Sequence, residues 1–376
     1  MNVNNVQTKM VKLGNYIEIC DVRNRDLVYT LDKVRGISIL KKLIPTKANM
    51  QGVSLSPYKL LKPYEFSYVT VTSRNGEKIS LAINDSDETY LVSSSYLVFK
   101  SKNTKELLPE YLFLLLSREE FDRFSRFNSW GSARETFDWS EFCLIQIPLP
   151  DIDTQQELVD TYNGLKALAE QNEALIEPLT KACQAYIVDC KKKYPEVELG
   201  EYIEEYDVRN SDNKIKAVKS VSVTKEFKDT GAKVDKNNLQ GYKLVPPNHL
   251  SYVQTTKNEK CFANALNTTD ETYVVTQVNK VIYSKDNNVL NIGFLQLIFK
   301  GVEFDRYALF NSWGSARETF DWDDLCRVRI PLPPPEVQQA IVNLYNCAEE
   351  AKKIANDARE KMKTLCPALV QKAING

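Results

Sequence analysis

Thirteen residues, FNSWGSARETFDW, run from Phe127 to Trp139 and return unchanged from Phe310 to Trp322. The likeness extends outward on both sides. VKLGNYIEICDVRN (11–24) aligns with VELGEYIEEYDVRN (197–210), YKLLKPYEFSYV (58–69) with YKLVPPNHLSYV (242–253), and AINDSDETYLV (82–92) with ALNTTDETYVV (265–275). EFDRF at Glu120 meets EFDRY at Glu303, and IPLP at Ile147 meets IPLP at Ile330. The offset drifts only from 186 to 183 across the 376-residue chain. This is a tandem duplication of one large unit, not a solenoid of short repeats.

Within each unit the periodicity changes once. The first part is mixed: SYLVFK and KVIYSK read as strands, rich in β-branched and aromatic residues. EYLFLLLSREEFDRF reads as one helix, as does NIGFLQLIFKGVEFDRY. A proline-rich stop then precedes a long helical pattern in each copy, IPLPDIDTQQ or IPLPPPEVQQ, with proline tolerated near a helix start. In the first copy Leu158, Tyr162, Leu165, Ala169, Asn172, Ile176, Leu179, Cys183, Tyr186 and Cys190 follow steps of four and three, one seam on one helix. Pro178 is expected to kink it. In the second copy Ile341, Tyr345, Ala348, Ala351, Ala355, Ala358, Met362, Leu365 and Leu369 form the seam. A single helix has no core of its own, so each seam is expected to bury against the other. The expected fold is α+β: two tandem mixed α/β domains, 1–153 and 194–335, separated by helices 154–193 and 336–376. These helices pair as an antiparallel coiled coil with internal pseudo-two-fold symmetry.

Composition excludes several functions. Hydrophobic residues make up 43% and charged residues 26%, as in globular proteins. No apolar run approaches the length of a membrane span, and the polar start MNVNNVQTKM is not a signal peptide; the cytoplasm is the expected location. Eight cysteines and one histidine, His249, show no metal-ligand spacing, so the cysteines read as buried thiols. Nucleotide-binding, zinc-protease and nucleophile-elbow motifs are missing. Asp85, Asp87 and Glu88, with Asp270 and Glu271, read as surface turns. His249 lies opposite Glu65, so two equal catalytic sites would not share it. The chain is expected to be non-catalytic. The net charge of −1 neither signals nor excludes nucleic-acid binding.

In the duplicated block Phe127, Trp130, Phe137 and Trp139 have large apolar surfaces to bury. Gly131 and Ser132 break regular structure, and Arg134 sits at the break. Its guanidinium suits a phosphate or a base edge; the alternative is a locking ion pair with Glu135 or Asp138. The copies diverge at 38–52 against 222–241 and at 73–80 against 256–263, as loops reading a ligand from a common scaffold do. If these loops meet DNA, Lys41, Lys42, Lys47 and Arg74 are candidates, with Lys225, Lys228, Lys233 and Lys257 in the second copy. Solvated loops explain the divergence nearly as well.

Mixed domain, IPLP-x-QQ long helix, mixed domain, IPLP-x-QQ long helix: over the full chain this arrangement resembles the specificity subunit of type I restriction-modification systems. The resemblance implies two target recognition domains, each reading one half of a split double-stranded DNA target. It also implies a helical spacer that docks two methyltransferase (modification) subunits and scaffolds restriction (helicase-nuclease) subunits. The cofactors are then external to this chain: S-adenosylmethionine on the modification subunits, ATP and magnesium on the restriction subunits. Helix-seam or interface candidates are Leu158, Tyr162, Leu165, Ile176, Leu179, Ile341, Tyr345 and Met362. Arg134 and Arg317 are expected to grip phosphate, with Trp130, Phe137, Trp313 and Phe320 packed beneath them. Alternatives are the specificity module of another DNA-modification system, or an anti-restriction or structural adaptor that does not bind DNA.

Overall fold

The computed structural model describes residues 9–72, 78–132, 134–231, 233–255, 261–314 and 318–375, and from 366 onward the backbone alone. Two compact units emerge, Met1–Gln171 with Ile354–Gly376, and Asn172–Lys353.

In the first unit a four-stranded antiparallel sheet runs in the order Ile17–Cys20, Leu97–Ser101, Phe66–Tyr68, Leu81–Ile83. Phe66 lies opposite Phe99, and their rings stack 4.8 Å apart. Three helices cover this sheet: α1 (Pro109–Leu116), α2 (Glu119–Phe127) and α3 (Trp139–Leu144). Phe66, Tyr68, Phe99, Phe137 and Phe142 are all fully buried in the resulting core. A hairpin of Arg35–Ile37 with Leu43–Pro45 stands apart from the main sheet. Lys9–Lys12 pairs with Gln146–Leu149, so the domain's entry and exit strands lie side by side before the chain enters α4 (Ile152–Lys193).

The second unit repeats this plan. Its sheet order is Ile203–Glu205, Asn279–Ser284, Leu250–Val253, Asn264–Leu266. Its helices are α5 (Ile292–Lys300), α6 (Val302–Phe310) and α7 (Trp322–Cys326), and α8 (Pro335–Asn375) follows. The stretches that read as one helix each are pairs. Arg118 breaks the first with extended backbone, ψ 151°, and Gly301 the second, ψ 139°. The break has a packing reason. In α1 Leu112, Leu114, Leu115 and Leu116 are all buried, whereas α2 buries only Phe121, Asp122 and Ser125. A straight continuation could not serve both environments.

The long helices Ile152–Lys193 and Pro335–Asn375 lie close to the expected spans 154–193 and 336–376, and they share in the packing of the mixed domains. Each divides between the two units. The physical reason is that a seam needs a core, and the mixed domains supply part of it. Leu158, Val159 and Tyr162 pack into the first core. Cys183, Ile187, Cys190, Ile341 and Tyr345 pack into the second. Within the second unit the two helices run antiparallel: Cys183 Sγ lies 3.9 Å from the Ile341 carbonyl, while Thr180 and Tyr345 line one cavity. In the first unit Tyr162 and Met362 face a common cavity. Ala348 and Ala351 in the second unit, and Ala355 and Ala358 in the first, are buried; side chains this small let helices approach closely. Leu165, Ile176 and Leu179 are half-buried. Tyr186 departs from the seam at 56% exposure, and Ile187 takes its place. A period of 3.5 drifts against the 3.6 of a straight helix, which accounts for a one-residue shift late in the helix. α4 runs on through Pro178 without interruption.

Gln155 and Gln338, at the starts of α4 and α8, are wholly buried and fully bonded. Gln155 accepts from Leu108 N at 2.9 Å and donates to the carbonyls of Glu106 (2.8 Å) and Pro150 (2.9 Å). Gln338 repeats this with Asn291 N, Val289 O and Pro333 O, each at 2.8 Å. Each amide ties the helix start to the loop before α1 or α5.

Candidate nucleic-acid interface

Three segments of the first domain converge on α2. The hairpin tip arrives at its first half. There Lys41, with φ +57°, places Nζ 2.6 Å from Asp122 Oδ1, both side chains 8% exposed. The same oxygen accepts from Ile79 N at 3.2 Å. Burial lowers the Lys41 pKa, with Asp122 opposing the shift. The second domain repeats the arrangement. Lys225 (φ +62°) reaches Asp305 Oδ1 and the Phe299 carbonyl, each at 2.7 Å, and Phe262 N donates to Asp305 at 2.8 Å. Lys41 and Lys225 therefore leave the set of DNA-contact candidates. Their charges are spent inside the domain, holding a divergent hairpin against a helix.

At the other end of α2 stands the duplicated block. Trp130 N donates to Thr136 O at 3.0 Å, and Thr136 N returns to Trp130 O at 2.9 Å, closing a tight turn. Gly131 has φ +139°, and a Cβ there would lie 2.2 Å from the Arg134 carbonyl, so only glycine fits. In the second copy Trp313 and Thr319 exchange bonds of 3.1 and 3.0 Å, and Gly314 has φ +136°. The turn is strapped to the sheet: Thr72 N donates to Glu135 O at 3.0 Å, and Phe137 N to Thr70 O at 2.8 Å. Residues 70–72 are thus bonded to the chain that leaves the turn, and Ile79 to Asp122 within α2.

Arg134 is exposed. The alternative, a locking ion pair with Glu135, is made instead by Arg126, whose guanidinium holds that carboxylate. Among the described residues none accepts a side-chain hydrogen bond from Arg134. The aromatic residues divide. Phe137 and Phe320 are fully buried, but Trp130 is 65% and Trp313 70% exposed. The tryptophans do not pack beneath the turn, because the buried space there is already filled. Phe137 makes edge contacts with Phe121 and Phe124, and Phe320 with Phe304 and Tyr307. Phe127 and Phe310, at the ends of α2 and α6, are exposed as well, at 79% and 83%.

Lys42, Lys47, Lys228 and Lys233 are exposed on the hairpins and the stretches that follow them. Arg74, Lys257 and Arg317 lie outside the described residues. Asp122, Asp305, Gln155 and Gln338 take their structural roles only in the folded chain; the recurrence of EFDR and QQ in both copies is the signal that the sequence holds for them. Cys183 and Cys190 are buried, as expected, but Cys20, Cys143, Cys261 and Cys326 are half-buried and Cys347 is exposed. Burial, with Glu65 adding to it, pushes the Cys20 thiol up to about 12. Among the described residues no group of acidic, histidine or cysteine side chains could hold a metal, and no helix is long and apolar enough to cross a membrane.

Residues 15–181 match the family model of the type I restriction modification DNA specificity domain. The chain carries a domain of the type I restriction-modification specificity family. The match spans the first mixed domain and the first part of α4; the second mixed domain is a sequence repeat of the first. The type I restriction enzyme HindI specificity subunit of Haemophilus influenzae is 27% identical over 142 residues. That alignment takes in 37% of this chain and 30% of the relative. Among solved structures, a type I restriction-modification S subunit from M. genitalium superposes with a TM-score of 0.59 at 12% identity, covering 97% of this chain and 96% of that one. The likeness is one of fold. The HsdS subunit from Thermoanaerobacter tengcongensis gives 0.43 at 16% identity, over 98% and 97% of the two chains.

Proposed function

We propose that this chain is the DNA sequence-recognition subunit of a type I restriction-modification complex. Each mixed domain reads one half of a bipartite double-stranded target. The long helices space the domains, dock two modification subunits and scaffold the restriction subunits. The chain itself is non-catalytic and works in the cytoplasm. S-adenosylmethionine belongs to the modification subunits, and ATP and magnesium to the restriction subunits.

One observation carries this reading. A mixed-domain frame occurs twice, and in each copy a divergent hairpin is pinned by a buried lysine to an aspartate of the helix that precedes the duplicated block. Tight anchoring of variable segments on a constant scaffold suits a reader whose target changes while its support does not. Arg134 is the phosphate contact in this scheme, since an invariant residue is compatible with a backbone that every sequence offers. Arg317 is its counterpart.

The test is to express the chain with its modification subunits in an unmethylated host and map adenine methylation. The expected result is a bipartite motif. Exchanging residues 38–52 for 222–241 should then alter one half only. A motif unchanged by that exchange, or by deletion of either mixed domain, would overturn the proposal.

A further inference from the structure

Each divergent hairpin depends on its domain for support. Among the described residues Arg35–Ile37 pairs only with Leu43–Pro45, and Lys219–Val221 only with Phe227–Asp229. Two strands alone are marginal in water, so the hairpin must be held from outside. At its base Arg35 lies over the Tyr90 ring at 4.3 Å, and Lys219 over the Tyr273 ring at 5.2 Å. At its tip Lys41 and Lys225 turn inward to Asp122 and Asp305.

The tips read SILKK (38–42) and SVTKE (222–226), and share only serine and lysine. Both shared residues hold the tip's shape. Ser38 N donates to Lys42 O and Lys41 N to Ser38 O, each at 3.0 Å. In the second copy Ser222 N donates to Glu226 O at 3.0 Å and Lys225 N to Ser222 O at 2.9 Å. Both lysines take a left-handed backbone, which costs energy for any residue with a side chain. One carboxylate oxygen receives the lysine and also the N–H of a residue two positions before an edge strand of the main sheet. That residue is Ile79 before Leu81–Ile83, and Phe262 before Asn264–Leu266. The residues between serine and lysine, Ile39 with Leu40 and Val223 with Thr224, are exposed. Where the copies diverge, the anchor stays and the presented residues change.

We infer that Lys41 and Lys225 are positioning residues for sequence recognition, each fixing the station from which its hairpin meets the bases of one half-site. The inference rests on the DNA reading above and deepens it. A buried ion pair adds little stability over a packed apolar pair of the same size. Its hydrogen bonds are directional, however, and admit one arrangement. Base edges are told apart by donor and acceptor patterns that tolerate little displacement. A hairpin held only at its base would sample several stations; it would still touch DNA but would distinguish bases poorly. The pin therefore governs discrimination, one half-site at a time, rather than overall affinity.

Lys41→Met with Asp122→Asn removes the ionic pin, leaves no unmatched charge and keeps an acceptor for Ile79 N. Lys225→Met with Asp305→Asn does the same for Phe262 N. Each full-length chain is expressed with the modification subunits in an unmethylated host, and adenine methylation is mapped. The first double variant should methylate sites that are degenerate in one half only, and the second double variant sites degenerate in the other half only. With purified complexes, discrimination against a single mismatch in the affected half should fall about tenfold, while affinity for non-cognate duplex stays unchanged. Asp122→Asn alone keeps an acceptor for both donors. Should the double variant not fold, this gentler change carries the test, with discrimination in the same half falling about threefold. A merely structural pin would lower the yield of complex and leave the motif intact. That result in a folded variant overturns the inference, as does degeneracy spread over both halves or an equal loss of affinity on every sequence. If the unaltered complex methylates no bipartite motif, the DNA reading itself falls, and the positioning role with it.

Discussion

Lys41 and Arg134 carry the same charge into opposite surroundings, and their substitutions should differ accordingly. Lys41 and Asp122 are held out of water, so removing one leaves the other charged and unmatched. Lys41→Met is expected to destabilise the first domain by about 3–5 kcal/mol, measured by urea denaturation. Replacing both partners should recover only part of that, because Asp122 also accepts the Ile79 N–H. Arg134→Ala should leave stability within about 0.5 kcal/mol of wild type. DNA affinity should fall by similar factors for cognate and non-cognate duplex, with the salt slope reduced by about 1. Loss confined to cognate sequence would mean that Arg134 reads a base. A lower melting temperature with unchanged affinity would return it to a structural role. Gln155→Glu tests a neutral donor: both N–H groups now reaching Glu106 and Pro150 carbonyls would be lost. A cost of at least about 1–3 kcal/mol is expected, lessened at acid pH, where the introduced carboxyl takes up a proton.

At the scale of elements, α4 and α8 each give residues to both units, and α8 buries a run of small side chains. Ala351 is 4% exposed within the second unit. Ala351→Leu should overpack the contact and cost about 1–3 kcal/mol, read from thermal unfolding. Leu165 and Ile176 keep part of their surface in water, as seam residues that also face a docking partner would. Their joint replacement by aspartate should abolish recovery of the modification subunits. Recovery at undiminished two-to-one stoichiometry would defeat the docking proposal. The helical stretches ahead of the duplicated block show where periodicity stops being a guide. Apolar spacing is continuous in EYLFLLLSREEFDRF, yet the first half is buried on most sides and the second half on one.

For the whole molecule, duplication predicts function that is matched in kind between the two halves. The shared frames lead us to expect half-sites of related base content, which motif mapping will test; halves with no base in common after reverse complementation would count against it. The first unit draws Ile354–Gly376 from the far end of the chain. Ending the chain at Lys353 should therefore loosen the first unit selectively, with faster amide exchange around α1 and Tyr162 and little change in the second domain's sheet. Equal loosening of both units would contradict that division.

The duplication, the strand segments, the two long helices and most of their seams were legible in the residues alone, as was the family that residues 15–181 match. Each is a property of order and spacing along the chain, and spacing survives without knowing what lies opposite. The fate of individual polar and aromatic side chains was not legible. Lys41 meets a carboxylate 81 positions away and Lys225 one 80 positions away, and no local pattern marks Lys41 as buried beside its exposed neighbour Lys42. Phe137 and Trp130 lie in one duplicated block, yet one is in the core and the other in water. That outcome depends on which ring the packed interior has room for, and only the assembled tertiary structure decides it.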